Sequence, residues 1–260
     1  MKLPISPDDA AEAIIQIGRR MYERRYVASN DGNVSVRLSA DRILVTPTGL
    51  SKGFMSRADL VVVNARGEKV SGKREATSEL KMHLKAYALR PDVLAVAHAH
   101  PPYATAFAVA GIPLAECVLP EVIVSLGSIP IAPYATPSTD EMADAIAEVV
   151  TVSDAFLLRN HGVMTVGGDA VSAYHKLETV EHFAEISYIA RRLGNLVPLG
   201  HQEVAKLVDL RTRMGVKGAY PGCREAASCL PGSEADRAEL VRVIVDEVIK
   251  VLKEGKHAME

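Results

Sequence analysis

The first part of the chain changes from a helical pattern of apolar residues to the shorter runs that are typical of strands. Ile14, Ile17 and Met21 share one face of a predicted helix, which begins behind the cap residue Ser6 and runs to about Arg25. A polar turn then breaks the helical period. The apolar runs that follow predict antiparallel strands, with the sequences VSVRL, RILVTP and LVVVNARGEKV.

The rest of the chain mixes helical and strand-like segments. A second helix is predicted to begin at Thr77, as its N-cap, and to end before Pro91. Long helices are predicted from Asp169 to Leu193, near 201–215 and near 233–254. Between Pro91 and Asp169, the pattern predicts a strand, a helix, two strands, a helix and a strand–turn–strand unit. Their sequences are VLAVAHAH, PPYATAFAVAG, VIVSLG, IPIAPY, STDEMADAIAEVV and AFLLRNHGVMTVGG.

This order of elements predicts an α/β fold in which helices cover both faces of a mainly antiparallel sheet. Strict alternation of strand and helix, which would indicate a parallel sheet, does not occur. The 260 residues, of which 48% are hydrophobic, supply enough apolar surface for one large core. We therefore expect a single α/β/α-layered domain over 1–260, with 196–260 forming a helical carboxy-terminal extension.

Charge and cysteine content narrow the classes of partner and compartment. The 30 basic and 32 acidic side chains nearly cancel and form no long block, so neither nucleic acid nor a membrane is an expected partner. The start MKLPISPDDA lacks the features of a secretory signal, which favours the cytoplasm. Cys117, Cys223 and Cys229 are an odd number without a CxxC pair, so we expect reduced thiols rather than disulfides.

Three histidines are the main candidates for chemistry. His98 and His100 lie two residues apart on a predicted strand, so both point to one face with Cα atoms about 6.6–6.8 Å apart. Pro101 ends that strand at once and leaves the rings near the sheet edge. His161 occupies a predicted turn between two apolar strands, where a core histidine is unusual. Three imidazoles with an exchangeable position are typical of catalytic zinc, and they also suit manganese or cobalt.

A second set of potential ligands lies on the long predicted helix. Its four side chains follow one helical stripe, namely His175, Glu178, His182 and Glu185. Acid–histidine pairs at such spacings are usually solvated pairings on an exposed helix, and no partner helix offers matching ligands. This stripe is therefore the weaker candidate for a metal site.

Six motifs occur in an order that carries a family resemblance. They are SNDGNVS at 29–35, TPTGLSKG at 46–53, ATSELKMH at 76–83, HAHPP at 98–102, IPIAPYATPST at 129–139 and RNHGVMTVG at 159–167. Together they resemble the class II aldolase/adducin family over roughly residues 8–195. The resemblance implies the α/β/α architecture of that family and a homotetramer with active sites between subunits.

The resemblance also implies roles for particular residues. His98, His100 and His161 would bind one divalent ion, and Glu79 would bind the resting ion and then leave it to act as acid and base. By its position alone, Glu79 is an ordinary first-turn glutamate of a helix. A substrate phosphate would lie among small polar residues, namely Asn33, Thr48, Gly49, Thr77 and Ser78, which by themselves are also ordinary turn and cap residues.

The reaction implied is reversible cleavage of a ketose 1-phosphate into dihydroxyacetone phosphate and a small aldehyde. Relatives with the same metal ligands epimerise, decarboxylate or dehydrate sugar phosphates, and adducin-like members are interaction modules without catalysis. The position at which aldolases of this family carry a tyrosine proton donor from a neighbouring subunit is here Leu119. Glu121 of a neighbouring subunit is the expected replacement. Tyr220 is an alternative donor, although its other interpretation is a buried tyrosine whose hydroxyl has a hydrogen-bond partner.

Overall fold

The strands form one eight-stranded sheet in the computed structural model, which describes residues 5–223. In chain order they are β1 (Asn33–Ser39), β2 (Arg42–Val45), β3 (Val61–Val63), β4 (Lys69–Ser71), β5 (Ala95–Ala99), β6 (Ile131–Ala132), β7 (Ala155–Leu158) and β8 (Gly162–Gly167). Across the sheet the order is β4-β3-β2-β1-β5-β8-β7-β6. All neighbours are antiparallel except β6 and β7, so the expected mainly antiparallel sheet is confirmed.

Helices cover both faces of the sheet. They are α1 (Pro7–Glu23), α2 (Leu80–Leu89), α3 (Pro102–Ala110), α4 (Pro120–Ser125), α5 (Asp140–Ala145), α6 (Ala147–Val152), α7 (Ala170–Leu193) and α8 (His201–Arg213). On one face α1, α3 and α7 bury a core that includes Ile14 and Leu177. On the other face α2, α5 and α6 bury a second core that includes Met82 and Met142. The predicted α/β/α layering is confirmed, because each face of the sheet has its own apolar cluster.

The first helix follows the sequence pattern closely. The Ser6 hydroxyl accepts a hydrogen bond from the amide of Asp9, and the helix ends at Glu23, two residues before the expected end. Its apolar stripe packs against α7 and the inner sheet. Local capping and periodicity therefore suffice to predict this element.

The start of α2 differs from the prediction. The helix begins at Leu80, and Glu79 is its N-cap residue rather than a residue of the first turn. The amide of Thr77 donates instead to the carbonyl of Thr46, and Ala76 forms a β-bridge with Pro47. Pairing with a distant loop thus keeps Thr77 out of the helix, and Ser78 and Glu79 form a turn before it. The consequence is that Glu79 turns toward the sheet end from a helix terminus.

Two further predictions are wrong. The predicted strand VIVSLG is largely the helix α4, because Pro120 takes the first helical position and the Ser125 hydroxyl donates to the carbonyl of Glu121. The single helix predicted over 138–150 is divided at Ile146 into α5 and α6. The run VIVSLG is short, and periodicity alone does not decide between helix and strand in such apolar runs.

The carboxy-terminal part brings a correction about cysteines. The helix expected near 201–215 is confirmed as α8, and the helix expected near 233–254 lies outside the described residues. Cys117 and Cys223 form a disulfide, with Cα atoms 5.3 Å apart, so the expectation of reduced thiols is wrong. Cysteine count and spacing could not show it, because the pair is separated by 106 residues and meets only where α8 packs on α4. Over residues 5–223, no helix is long and apolar enough to cross a membrane.

Candidate metal centre

The end of β5 carries two of the three histidines. His98 is fully buried on the strand and pairs in register with Asn33 of β1 and Met164 of β8. His100 follows directly after the strand, with its side chain 26% exposed. The two rings are edge to face with centroids 4.9 Å apart, as the alternation of a strand predicts. The strand therefore presents both rings to one side, with His98 buried and His100 partly exposed at the strand end.

The third histidine comes from the turn between β7 and β8. Asn160 adopts a left-handed conformation, with φ of 56°, and the His161 amide donates to the carbonyl of Leu158. This turn places the His161 ring 4.7 Å from the ring of His98 and 5.0 Å from that of His100, measured between centroids. One nitrogen of each ring lies within 4.8 Å of the other two. The structure thus brings together all three predicted ligands.

Hydrogen bonds set which ring nitrogens face the centre. His98 Nδ1 lies 2.8 Å from the carbonyl oxygen of Val163, to which it donates, so its Nε2 carries a lone pair. His100 Nδ1 lies 3.3 Å from the carboxylate of Asp31, which favours the same tautomer. The two Nε2 atoms face each other at 3.1 Å. Facing lone pairs repel, and a cation bound to both removes that repulsion.

Glu79 completes the ring of donors from the N-terminus of α2. Its Oε2 lies 3.3 Å from His98 Nε2, and its Oε1 lies 3.1 Å from His161 Nε2. Burial alone raises the pKa of Glu79, but the adjacent imidazole groups of His98 and His161 outweigh it and lower the pKa. The side chain is therefore a carboxylate at neutral pH.

The cluster meets the requirements of a divalent metal site. Glu79 Oε1 and His161 Nδ1 are buried without a hydrogen-bond partner in the described structure. An unpaired buried carboxylate oxygen is costly, and a cation beside it would offset that cost. Three imidazole nitrogens and one carboxylate also match the ligand types of catalytic zinc sites. The residues present fit the ion that the sequence predicts.

A buried chain of hydrogen bonds lies behind Glu79. Asn33 Nδ2 donates to Glu79 Oε2 at 2.8 Å, and Asn33 Oδ1 lies 2.5 Å from His83 Nε2. His83 Nδ1 lies 2.7 Å from the Ser35 hydroxyl, which lies 2.7 Å from the Tyr87 hydroxyl. Burial lowers the pKa of His83 to about 3, so the ring is neutral. A neutral ring that donates from Nε2 to Asn33 fixes the amide with its N–H groups toward Glu79.

A pocket of about 210 Å³ opens beside the metal cluster. Glu79, His100 and His161 lie at one end, and the predicted phosphate residues Thr48, Thr77, Ser78 and Asn33 also line it. The Thr48 amide is already bonded to the carbonyl of Glu75, which leaves its hydroxyl for a ligand. Gly49, with φ of +68°, stands next to this wall without lining it.

The other candidate residues lie away from this pocket. Glu121 is exposed in the first turn of α4, so the prediction that it acts in a neighbouring subunit's site remains untested. Tyr220 packs over Arg211, near the start of β7 and far from its histidine end. In the competing stripe, Glu178 pairs with arginines of α1 and its C-cap, and the described residues contain no second metal-like cluster.

Three residues of this site were missed by sequence reasoning. Asp31 supports His100, His83 supports Asn33, and the buried Lys52 lines the pocket. Burial lowers the pKa of Lys52 to about 8. All three lie inside motifs that carry the family resemblance, which is the only signal that pointed to them. Their partners come from other parts of the chain, so spacing alone could not show what they contact.

Comparison with known proteins agrees with this geometry. A family model described as the class II aldolase and adducin N-terminal domain matches residues 12–188. An L-fuculose phosphate aldolase of Methanococcus maripaludis is 38% identical over 179 residues, 69% of this chain and 96% of the relative. A 3-oxo-tetronate 4-phosphate decarboxylase of Haemophilus influenzae is 33% identical over 181 residues, 68% of this chain and 86% of that protein. A solved L-fuculose 1-phosphate aldolase has a TM-score of 0.74 and 30% identity, covering 80% of this chain and 98% of the other.

The matched segment contains every part of the site. All six sequence motifs lie within residues 12–188, as do the three histidines and Glu79. Within the family, the motifs predict the greatest likeness to L-fuculose-1-phosphate aldolase, and the relative and the solved structure confirm that likeness. Sequence order, sheet topology and the convergence of the predicted ligands agree, and this chain belongs to the class II aldolase and adducin family.

Proposed function

We propose that this chain is a metal-dependent aldehyde-lyase that reversibly cleaves a ketose 1-phosphate, similar to L-fuculose 1-phosphate, into dihydroxyacetone phosphate and a small aldehyde. The observation that carries this proposal is the Glu79 carboxylate, whose oxygens lie 3.3 Å and 3.1 Å from the Nε2 atoms of His98 and His161. This group borders a polar pocket large enough for a small ligand. Similarity to L-fuculose phosphate aldolases supports the choice of reaction.

His98, His100 and His161 would hold one divalent ion per subunit, with Glu79 as a further ligand in the resting enzyme. Zinc is the ion that three imidazoles favour, and manganese or cobalt also suits them. When bound, the cation acts as a Lewis acid that stabilises negative charge on the carbonyl and hydroxyl oxygens of the substrate. The adducin-like alternative, an interaction module, has no use for such a buried ligand set.

Glu79 is the acid and base of the proposal. In the direction of synthesis its carboxylate removes a proton from the hydroxymethyl carbon of dihydroxyacetone phosphate, and in cleavage the carboxyl group returns it. Asn33 donates to Oε2, whereas Oε1 accepts no hydrogen bond from the described residues. Oε1 is therefore the oxygen that is available to take up the proton.

The remaining groups of the proposal bind the substrate phosphate and supply the second proton. The hydroxyls of Thr48, Thr77 and Ser78 would contact the phosphate at the far end of the pocket. A second proton, on the aldehyde side, would come from Glu121 of a neighbouring subunit in a homotetramer.

Decarboxylation of a phosphorylated sugar acid is the second candidate. The 3-oxo-tetronate 4-phosphate decarboxylase of Haemophilus influenzae is 33% identical to this chain. In addition, Leu119 stands where aldolases of this family carry a tyrosine donor. Decarboxylation, like epimerisation and dehydration, can use the same stabilisation of an electron-rich carbon next to a carbonyl group.

Product analysis tests the proposal. Metal-loaded protein is incubated with a panel of ketose 1-phosphates and 3-oxo sugar-acid phosphates, and dihydroxyacetone phosphate and carbon dioxide are measured. We expect dihydroxyacetone phosphate, and about a 10²- to 10⁴-fold lower kcat in Glu79→Gln. Metal content is measured in both proteins, so that lost catalysis is separated from lost metal. Carbon dioxide as the product would favour the decarboxylase, and cleavage unaffected by Glu79→Gln would refute the mechanism.

A further inference from the structure

Lys52 is a buried ammonium group inside the pocket wall. Only 2% of the residue is exposed, yet it lines the same pocket as Thr48, Thr77 and Ser78. The predicted phosphate residues contain no cationic side chain. Lys52 is thus the one lysine or arginine among the described residues that line this pocket.

The partners of Lys52 leave its charge incompletely compensated. Its Nζ donates to the carbonyl oxygens of Asn30 and Leu50, each at 2.7 Å. An ammonium group has three donors, so one N–H remains. Within residues 5–223, no carboxylate lies within salt-bridge distance of Nζ, and Asp31 and Glu79 act on it only at longer range. A buried charge is costly without an ionic partner.

A clamp between two loops is the simpler reading of these contacts. The carbonyls of Asn30 and Leu50 belong to the loops that precede β1 and follow β2, and Lys52 joins them. Such a clamp needs donors and does not need a positive charge. A neutral donor would hold the loops without the cost of burying an ion. The charge therefore calls for an anion that enters the pocket.

We propose that Lys52 supplies the positive charge that binds the substrate phosphate and makes the enzyme select phosphorylated over unphosphorylated ketoses. The two carbonyls hold Nζ in place, and the third N–H is left for a phosphate oxygen. The hydroxyls of Thr48, Thr77 and Ser78 would bind the other oxygens. The identity of the anion as a ketose phosphate rests on the proposed function.

Inorganic phosphate is the direct probe. It is titrated calorimetrically into metal-free protein, so that it cannot bind a metal ion, for the wild type, Lys52→Met, Lys52→Gln and Lys73→Met. We expect both Lys52 variants to bind phosphate at least about tenfold more weakly, because a charge-assisted hydrogen bond is lost. Lys73→Met removes an exposed positive charge elsewhere and should bind as the wild type does. Equal binding in all four proteins would overturn the proposal.

Lys52→Gln keeps a donor for the loop carbonyls and removes only the charge. The cobalt spectrum of the histidine cluster shows whether each variant is folded. In folded variants, kcat/KM should fall at least about tenfold more for a ketose 1-phosphate than for the unphosphorylated ketose. An equal fall for both would identify Lys52 as a clamp alone.

Soaking a wild-type crystal in phosphate tests the proposal without any variant. Phosphate in hydrogen-bond contact with Nζ supports the proposal, and phosphate elsewhere in the pocket contradicts it. The phosphate measurements do not involve turnover. Binding through Lys52 without cleavage of any ketose phosphate would therefore refute the proposed function and leave the role of Lys52 standing.

Discussion

Two regions of the molecule differ in whether the groups proposed for the reaction meet within one protomer. At the ends of β5 and β7, His98, His161 and Glu79 are held by protein neighbours at 2.8–3.3 Å. On α4, in contrast, Glu121 is exposed and belongs to no pocket of its own chain among those described. The difference teaches that the proposed metal binding and proton transfer at Glu79 need only groups of one protomer. The proposed proton donor on the aldehyde side would have to come from another protomer.

The largest effect should come from the buried region. His98→Ala removes a ligand from the strand and should lower both metal content and kcat/KM, the latter by more than about 100-fold, since even partners of ligands change these values 10- to 100-fold. The matched control is His175→Ala, an exposed histidine of the α7 stripe. Elemental analysis and a cleavage assay measure both variants. An equal loss of metal in the control would show that the stripe, and not the sheet end, is the site.

Glu121→Gln tests the second region, because it should change kcat without changing metal content. If the carboxylate acts as a general acid across an interface, kcat should fall about 100-fold while metal content stays unchanged. Mixed tetramers of Glu121→Gln with Glu79→Gln subunits should regain activity, since some sites then receive both carboxylates. Full activity of Glu121→Gln would remove this residue from the mechanism and direct attention to Tyr220.

The disulfide tests whether the two regions are energetically independent. Reduction, or Cys117→Ala, should lower the free energy of unfolding by about 2–4 kcal/mol, because the bond closes a long loop. Folded protein should keep its metal affinity, since the bond joins the α4 and α8 side and not the histidine cluster. Urea unfolding with and without a reductant measures the first effect, and metal titration measures the second. Weaker metal binding after reduction would show that the regions are coupled.

The smallest effect should be that of His83→Gln on the pH dependence of the free energy of unfolding. The folded-state pKa of His83, about 3, is below its unfolded value near 6.5. Between these pH values His83 is protonated in the unfolded chain and neutral in the folded chain. Stability from His83 is therefore complete above about pH 6.5 and declines as pH falls, by about 2 kcal/mol at pH 5. His83→Gln should flatten this decline in the metal-free protein, as measured by urea unfolding. Parallel curves for both proteins would contradict a neutral, buried His83.

Sequence reasoning succeeded where a local pattern and the final environment agree. The strand period predicted that His98 and His100 share a face, and capping predicted the start of α1 at Ser6. It failed at α2, where pairing of Thr77 with Thr46 delays the helix, and at α4, where a short apolar run forms a helix. At α2 a contact distant in sequence outweighed local preference, whereas the short apolar run of α4 is compatible with either helix or strand.

The sequence by itself determined the family, the layered α/β architecture and the candidate ligands, since alternation along a strand and ordered motifs are properties of the chain alone. Only the tertiary structure decided that His161 reaches His98, that Asn33 faces Glu79 and that Lys52 is buried beside the pocket. It also decided that Cys117 meets Cys223. The physical reason is that these contacts join distant segments, whose meeting depends on sheet register and on packing across the whole core.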